Sequence, residues 1–124
     1  MRFYIKIPTY LVITVLIGFI GLFQTLNPPR PEAVYSNPET AEEFLRRGEL
    51  YADRQEYEKA LADYVRAEQL DPSDRHVYLK KGSALSALNQ PKAAIEQYEQ
   101  AKAMSEHGGD LVQYLIDQER QKLQ

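Results

Sequence analysis

Residues 44–67, FLRRGELYADRQEYEKALADYVRA, and residues 78–101, YLKKGSALSALNQPKAAIEQYEQA, decide the fold. Laid over each other they match at an offset of 34: Phe44 with Tyr78, Leu45 with Leu79, Gly48 with Gly82, Tyr51 with Leu85, Ala60 with Ala94, Leu61 with Ile95, Tyr64 with Tyr98 and Ala67 with Ala101. Self-similarity at such a period is the signature of stacked helical pairs, each of which cannot bury its apolar face alone. The residue types supply the physical reason. A glycine removes the side chain where two helices cross closely, alanines do the same on the second helix, and aromatics fill the space left between.

The punctuation agrees with that reading. Arg54, Gln55 and Glu56 form a turn inside the first pair, and Asn89 and Gln90 before Pro91 form the corresponding turn inside the second. Asp71, Pro72 and Ser73 separate the two pairs. Asn37 reads as a helix N-cap with Pro38 at the first helical position, and Glu39, Glu42 and Glu43 sit near the positive end of the helix dipole. Helices are expected near 39–53, 57–70, 74–88, 91–104 and 110–122. The last follows Gly108 and Gly109, is capped by Asp110, and presents Leu111, Val112, Leu115 and Leu123 as its apolar face, with residues 117–122 polar. It looks like the capping helix with which repeat arrays cover an exposed end.

With these residues in view, the chain resembles the tetratricopeptide-repeat (TPR) family. Phe44, Gly48, Tyr51, Ala60, Tyr64, Ala67 and Pro72 fit its pattern throughout. Tyr78, Gly82, Leu85, Ala94, Tyr98 and Ala101 fit it again, with Glu106 where a proline is expected. The resemblance covers about 68 of 124 residues. Family members usually carry Leu just before the glycine. This chain has Arg47 and Lys81, whose aliphatic stems are expected to cover apolar surface while the charges reach water. The implied fold is all-α: an α-solenoid of two helix pairs, repeat one over 41–74 and repeat two over 75–108, with a capping helix over 109–124, together forming a domain over 39–124. Two repeats and a cap fall short of the roughly three usually needed for a robust solenoid, so partner binding or self-association is expected to add stability.

Outward from the repeats, residues 28–38 form a proline-rich linker, extended because each X-Pro step resists helix. Residues 7–27 contain no charge. From Pro8 to Leu26 the run is long enough, at ~1.5 Å per residue, to cross a hydrocarbon core of roughly 30 Å. Residues 1–27 therefore read as a single transmembrane anchor, with Tyr10 at headgroup level. A cleaved signal peptide competes with that reading, because Arg2 and Lys6 precede the apolar run, but no small-x-small cleavage site closes it. The same two charges favour a cytoplasmic N-terminus, with the repeats on the periplasmic, lumenal or exterior side. Thr14, Gly18, Gly21 and Thr25 share one helix face, a stripe that would let another transmembrane helix approach; the alternative is that Gly and Thr are simply common in membrane spans.

Composition removes other functions. The chain has no cysteine, which excludes disulfides and thiol chemistry. Beyond position 27 there are thirteen Lys and Arg against eighteen Asp and Glu, a net charge of −5 of interspersed sign that does not suit nucleic acid. Only two histidines occur, His76 and His107, neither with a metal-like or triad-like neighbourhood, and no phosphate loop or nucleophile elbow is present. No enzymatic activity, cofactor or metal is expected.

By resemblance to TPR geometry, the binding surface is the concave groove of the first helix of each pair. It would be lined by Glu42, Leu45, Glu49, Ala52 and Asp53 in repeat one and by His76, Leu79, Ser83, Ser86 and Ala87 in repeat two, with Gln113, Asp117 and Arg120 added by the last helix. TPR proteins that grip chaperone C-terminal carboxylates place Lys, Arg and Asn in such grooves, whereas Leu45, Glu49 and Ser83 stand here. A basic or apolar peptide suits the mix better. The competing view is a solvated face whose charges serve solubility. As a whole the chain reads as a membrane-tethered scaffold for protein–protein interaction, in the assembly or stabilisation of a membrane complex, or as a permanent small subunit of one.

Overall fold

The computed structural model describes Arg30, Ala33, 35–105 and 109–124. The expected anchor, with Thr14, Gly18, Gly21 and Thr25, lies outside the described residues, as do His107 and Gly108. Among the described residues no helix is long and apolar enough to cross a membrane. The helices are α1 (Ala41–Asp53), α2 (Tyr57–Leu70), α3 (Arg75–Ala87), α4 (Pro91–Ala103) and α5 (Gly109–Gln121), all within the compact unit Pro31–Gln124. They form an all-α solenoid in which α1 pairs with α2, α3 with α4, and α5 packs on the end.

The start of α1 differs from the expectation. Thr40, not Asn37, is the N-cap, and the helix begins at Ala41 rather than at 39. The reason is a reciprocal capping box. Thr40 Oγ1 accepts from the Glu43 backbone N–H at 3.2 Å, while Glu43 Oε2 accepts from the N–H groups of Thr40 and Glu39 at 3.1 and 3.0 Å. Thr40→Ala is expected to lower the unfolding free energy by about 1 kcal/mol, measured by denaturant titration. The Glu39 and Thr40 amides hold the Glu43 carboxyl below its usual range near 4.5. A depressed carboxyl stabilises the fold above its unfolded value and loses that contribution as pH falls through the folded value, so Glu43→Gln should flatten the loss of stability below about pH 4.5.

The turns repeat at the same period as the helices. Gln55 and Asn89, 34 apart, both take left-handed backbone with φ of 62° and 56°. Glu56 N–H donates to Tyr51 O at 2.9 Å, and Gln90 N–H donates to Leu85 O at 2.9 Å, so each first helix closes in a Schellman-type cap. Asp71 Oδ1 accepts from the Ser73 N–H and hydroxyl, and Asp74 caps α3 through the His76 N–H at 2.8 Å.

The core is the expected small-against-large arrangement. Ala60, Ala67, Ala94 and Ala101 are fully buried, and Tyr64 and Tyr98 are nearly so. A Cβ placed on Gly48 would stand 2.5 Å from Tyr64 Cε1, and one placed on Gly82 would stand 2.5 Å from Tyr98 Cε1, so in each pair the tyrosine ring occupies the space the glycine leaves.

The expectation for Arg47 and Lys81 is corrected. Their charges do not run out to water but pair with partly buried carboxylates. Arg47 forks onto Asp63 of α2 with two contacts of 2.7 Å, and Lys81 bonds Glu68 of α2 at 2.5 Å. A carboxylate on the facing helix is within reach in both cases, and pairing there avoids leaving a half-buried charge alone.

The fifth helix also differs from the expectation. Asp110 lies in its first turn and not at its cap. Of its expected apolar face, Val112 is buried and Leu115 half-buried, but Leu111 and Leu123 are 69% and 46% exposed. Ile116 and Glu119 take the buried places instead. The cause is a change of register. In α3 the stripe packed on the first pair is Val77, Lys81 and Ala84. In α5 the corresponding stripe is Val112, Ile116 and Glu119, 35 residues on and not 34. Five residues separate α4 from α5 where four separate α2 from α3, and one residue of register is a rotation of about 100°.

Candidate functional site

The first helices of the two pairs place Glu49, Ala52 and Asp53 of α1 opposite Ser83 and Ala84 of α3. Tyr57 and Tyr64 of α2 close the floor, and together with Lys80 these residues line a pocket of about 200 Å³. Its position follows from the packing. Gly48 draws α2 close to α1, which brings the Tyr64 ring under the groove, and the small residues Ala52, Ser83 and Ala84 leave the space open.

Charge in the pocket is predominantly negative. Lys80 Nζ bonds Glu49 at 2.7 Å across the two repeats and offsets part of it, while Asp53 is exposed. Burial pushes the Tyr64 phenol well above its ordinary range, and the negative charges of Glu49, Asp53 and Asp63 push it further in the same direction. Two carboxylates against one lysine favour a cation at the mouth of the pocket. Half-buried Tyr57 adds aromatic surface suited to the stem of a lysine or arginine, while Tyr64, 1% exposed, serves as core beneath it.

The expected groove residues thus divide. Glu49, Asp53 and Ser83, with Ala52, come together in the pocket. Glu42 is exposed and engaged along its own helix with Arg46, at 2.7 Å. Leu45 and Leu79 are half-buried, packed against the first and second core clusters respectively. His76 is exposed, and its backbone serves the cap of α3. Ser86 belongs to the junction with α5: its hydroxyl donates to Glu119 Oε1 at 2.6 Å and accepts from Lys122 Nζ at 2.9 Å. Gln113, Asp117 and Arg120 face α4 rather than the groove, since Lys102 bonds Gln113 at 2.7 Å and Arg120 reaches Glu99 at 3.3 Å.

Sequence reasoning missed Tyr57, Tyr64 and Lys80 as pocket residues. Tyr64 carried the signal of a core aromatic, which it also is. Lys80 could have been found as the cation that follows Leu79 on the same edge of α3, one helix across from Glu49. Among the described residues no group of three or more His, Asp or Glu is arranged to hold a metal ion.

Comparison with known proteins follows the same repeats. A TPR repeat family model matches residues 48–89, and a tetratricopeptide repeat model matches residues 76–107. Over 77 residues, 62% of this chain, the sequence is 36% identical to the protein SGT1 homolog of Oryza sativa subsp. japonica. The chain spans 19% of the length of that curated relative. The helical pairs, the glycine–tyrosine contacts at the same place in each, and the matches spanning 48–107 lead to one conclusion: this chain carries tetratricopeptide repeats, the fold of a protein-interaction scaffold.

Proposed function

We propose that this chain is a membrane-tethered scaffold whose groove holds a basic or apolar segment of another protein during assembly or stabilisation of a membrane complex. The observation that carries the reading is the pocket between α1 and α3, whose lining joins Glu49 and Asp53 to half-buried Tyr57. A cationic side chain entering there meets opposite charge at its head and aromatic surface along its stem. The tether rests on the uncharged run 7–27, flanked by Arg2 and Lys6, which favours a cytoplasmic N-terminus and repeats on the periplasmic, lumenal or exterior side. The Thr14, Gly18, Gly21 and Thr25 stripe favours the second arrangement, a permanent subunit packed through its span against another transmembrane helix.

Glu49→Lys combined with Asp53→Lys tests the groove. Recovery of the membrane partner, measured by quantitative co-purification in detergent, is expected to fall at least tenfold with the helical circular-dichroism signal unchanged. Unaltered recovery would sink the groove reading. The same measurement separates the two arrangements: association only with immature complexes marks an assembly factor, and a constant ratio to the finished complex marks a subunit. Protease digestion of sealed vesicles, compared with permeabilised ones, reads the sidedness of the repeats.

A further inference from the structure

The rotation of α5 has moved an apolar residue to the surface. In the register of the preceding repeat, Leu111 would take the place of the fully buried Val77; it is instead 69% exposed, and Tyr114 one turn on is 58% exposed. The contacts of α5 settle which way this pair faces. Val112, Ile116 and Glu119 face the core. Gln113 and Arg120 face α4 through Lys102 and Glu99. Leu111, Leu115, Gln118 and Lys122 share the opposite flank at helical spacing, and Lys122 bonds Ser86 of α3. Ser86 lies three residues beyond Ser83, which lines the acidic pocket, so this flank adjoins the groove. Tyr114 belongs to the same edge, its hydroxyl held by Gln118 Nε2 at 2.7 Å. Counting 35 residues back, Leu111, Tyr114 and Gln118 correspond to His76, Leu79 and Ser83, the groove edge of α3.

We propose that Leu111 and Tyr114 form the apolar end of a two-part peptide site whose other end is the Glu49–Asp53 pocket. The occupant is one extended segment of a partner protein, carrying a basic residue at the pocket and a bulky apolar residue at α5. The proposal rests on the groove reading above and specifies its ligand. Charge complementarity favours this occupant: exposed Asp110 lies beside Leu111, and the pocket at the other end holds two carboxylates against one lysine, so a basic residue is attracted at the pocket end. Helix axes about 10 Å apart, with an offset of about seven residues along them, put the two ends roughly 15–20 Å from each other, about five to six residues of extended chain.

The probe is a displayed library of random 12-residue peptides, selected against the full chain held in neutral-lipid nanodiscs. Wild type is expected to select Lys or Arg about five to six residues from Phe, Leu or Ile. Leu111→Ser with Tyr114→Ser, both at exposed positions, should weaken the selected peptides about tenfold and abolish selection of the apolar residue while leaving that of the basic one. Glu49→Gln with Asp53→Asn should do the reverse. The two-part site is overturned if the serine variant still selects the apolar residue, or if wild type selects no apolar residue at that spacing. It is overturned equally if sedimentation shows a wild-type dimer that the serine variant dissociates, because a second copy then covers this face. Apolar selection that depends on Leu111 and Tyr114, with no selection of a basic residue, overturns the pocket reading instead and leaves the α5 anchor standing.

Discussion

Tyr98→Ala is expected to lower the unfolding free energy by about 3–5 kcal/mol, the loss typical of a large aromatic removed from a core. Tyr98 is 2% exposed and fills the gap between α3 and α4 that Gly82 creates. The sharper result lies in the pair. An alanine Cβ at Gly82 would stand 2.5, 2.6 and 3.0 Å from three atoms of the ring. A buried ring with no room to retreat turns that into overpacking, so Gly82→Ala alone should destabilise by about 1–3 kcal/mol. With Tyr98 already cut to alanine the obstruction is gone, and Gly82→Ala should become stabilising by up to about 1 kcal/mol, the helix-propensity difference between the two residues. The sign reversal, a coupling of about 2 kcal/mol or more, is read from denaturant titration of the four proteins. Equal destabilisation in both backgrounds would show that the glycine answers to something other than the ring. Should Tyr98→Ala leave too little folded protein, Tyr98→Leu gives the same cycle with smaller amplitude.

That contact was legible in the sequence because it depends on residue size at a fixed period. Gly48 and Gly82, with Tyr64 and Tyr98 sixteen residues later in each repeat, announce both the crossing and what fills it. The turns were legible from Pro72 and Pro91, which interrupt a preceding helix, and from Asn89, a residue that tolerates left-handed backbone; Gln55 takes the same backbone without that signal. Thr40 shows the limit of one-residue signals. Asn37–Pro38 is a good helix start by itself, but Thr40 and Glu43 satisfy two backbone donors at once and win the competition.

The orientation of α5 was harder to read, because it is set by a difference between connections and not by the helix itself. Leu111, Val112, Leu115 and Ile116 offer two apolar stripes about 100° apart, and either could face the core. The longer connection after α4 accompanies the choice of Val112 and Ile116. The same rotation puts a polar face where α3 has an apolar one. In α3 the face toward its own second helix is Tyr78, Gly82 and Leu85; 35 residues on stand Gln113, Asp117 and Arg120. These are linked by hydrogen bonds, Gln113 to Asp117 at 2.9 Å and Arg120 to Asp117 at 3.4 Å.

The groove was legible only as far as analogy reached. Glu49, Asp53 and Ser83 share a pocket, whereas Leu45 and Leu79 serve mainly the core and Ser86 serves the α3–α5 junction. A first helix also supports its neighbours, so some positions on its groove side are taken up by them, as Ser86 is by Glu119 of α5. The acidic pocket survives because small residues, Ala52, Ser83 and Ala84, keep the two helices from filling it.

Asp63→Ala is expected to be the costliest change of a charged residue, lowering stability by about 3 kcal/mol. Asp63 receives both arms of the Arg47 fork at 2.7 Å, and its side chain is 6% exposed while that of Arg47 is 19%. Removing the carboxylate takes the counter-charge from a guanidinium that packing holds in place. Arg47→Leu alone should also destabilise, because it strands the carboxylate in the same low-polarity site. The double variant, Arg47→Leu with Asp63→Ala, should recover most of the loss, since no charge is then buried and leucine fills the volume as it does in most TPR sequences. The second repeat gives the internal comparison. Gln97 stands where Asp63 stands in the first, its Oε1 is buried without a hydrogen-bond partner, and Lys81 turns back to Glu68 of the preceding repeat. With Glu68 29% exposed, water can take over from it more readily, so Glu68→Ala should destabilise less than Asp63→Ala. Equal effects of the two alanine variants, or a double variant no more stable than either single one, would show that the Arg47–Asp63 pair is not the contact that locks α1 to α2.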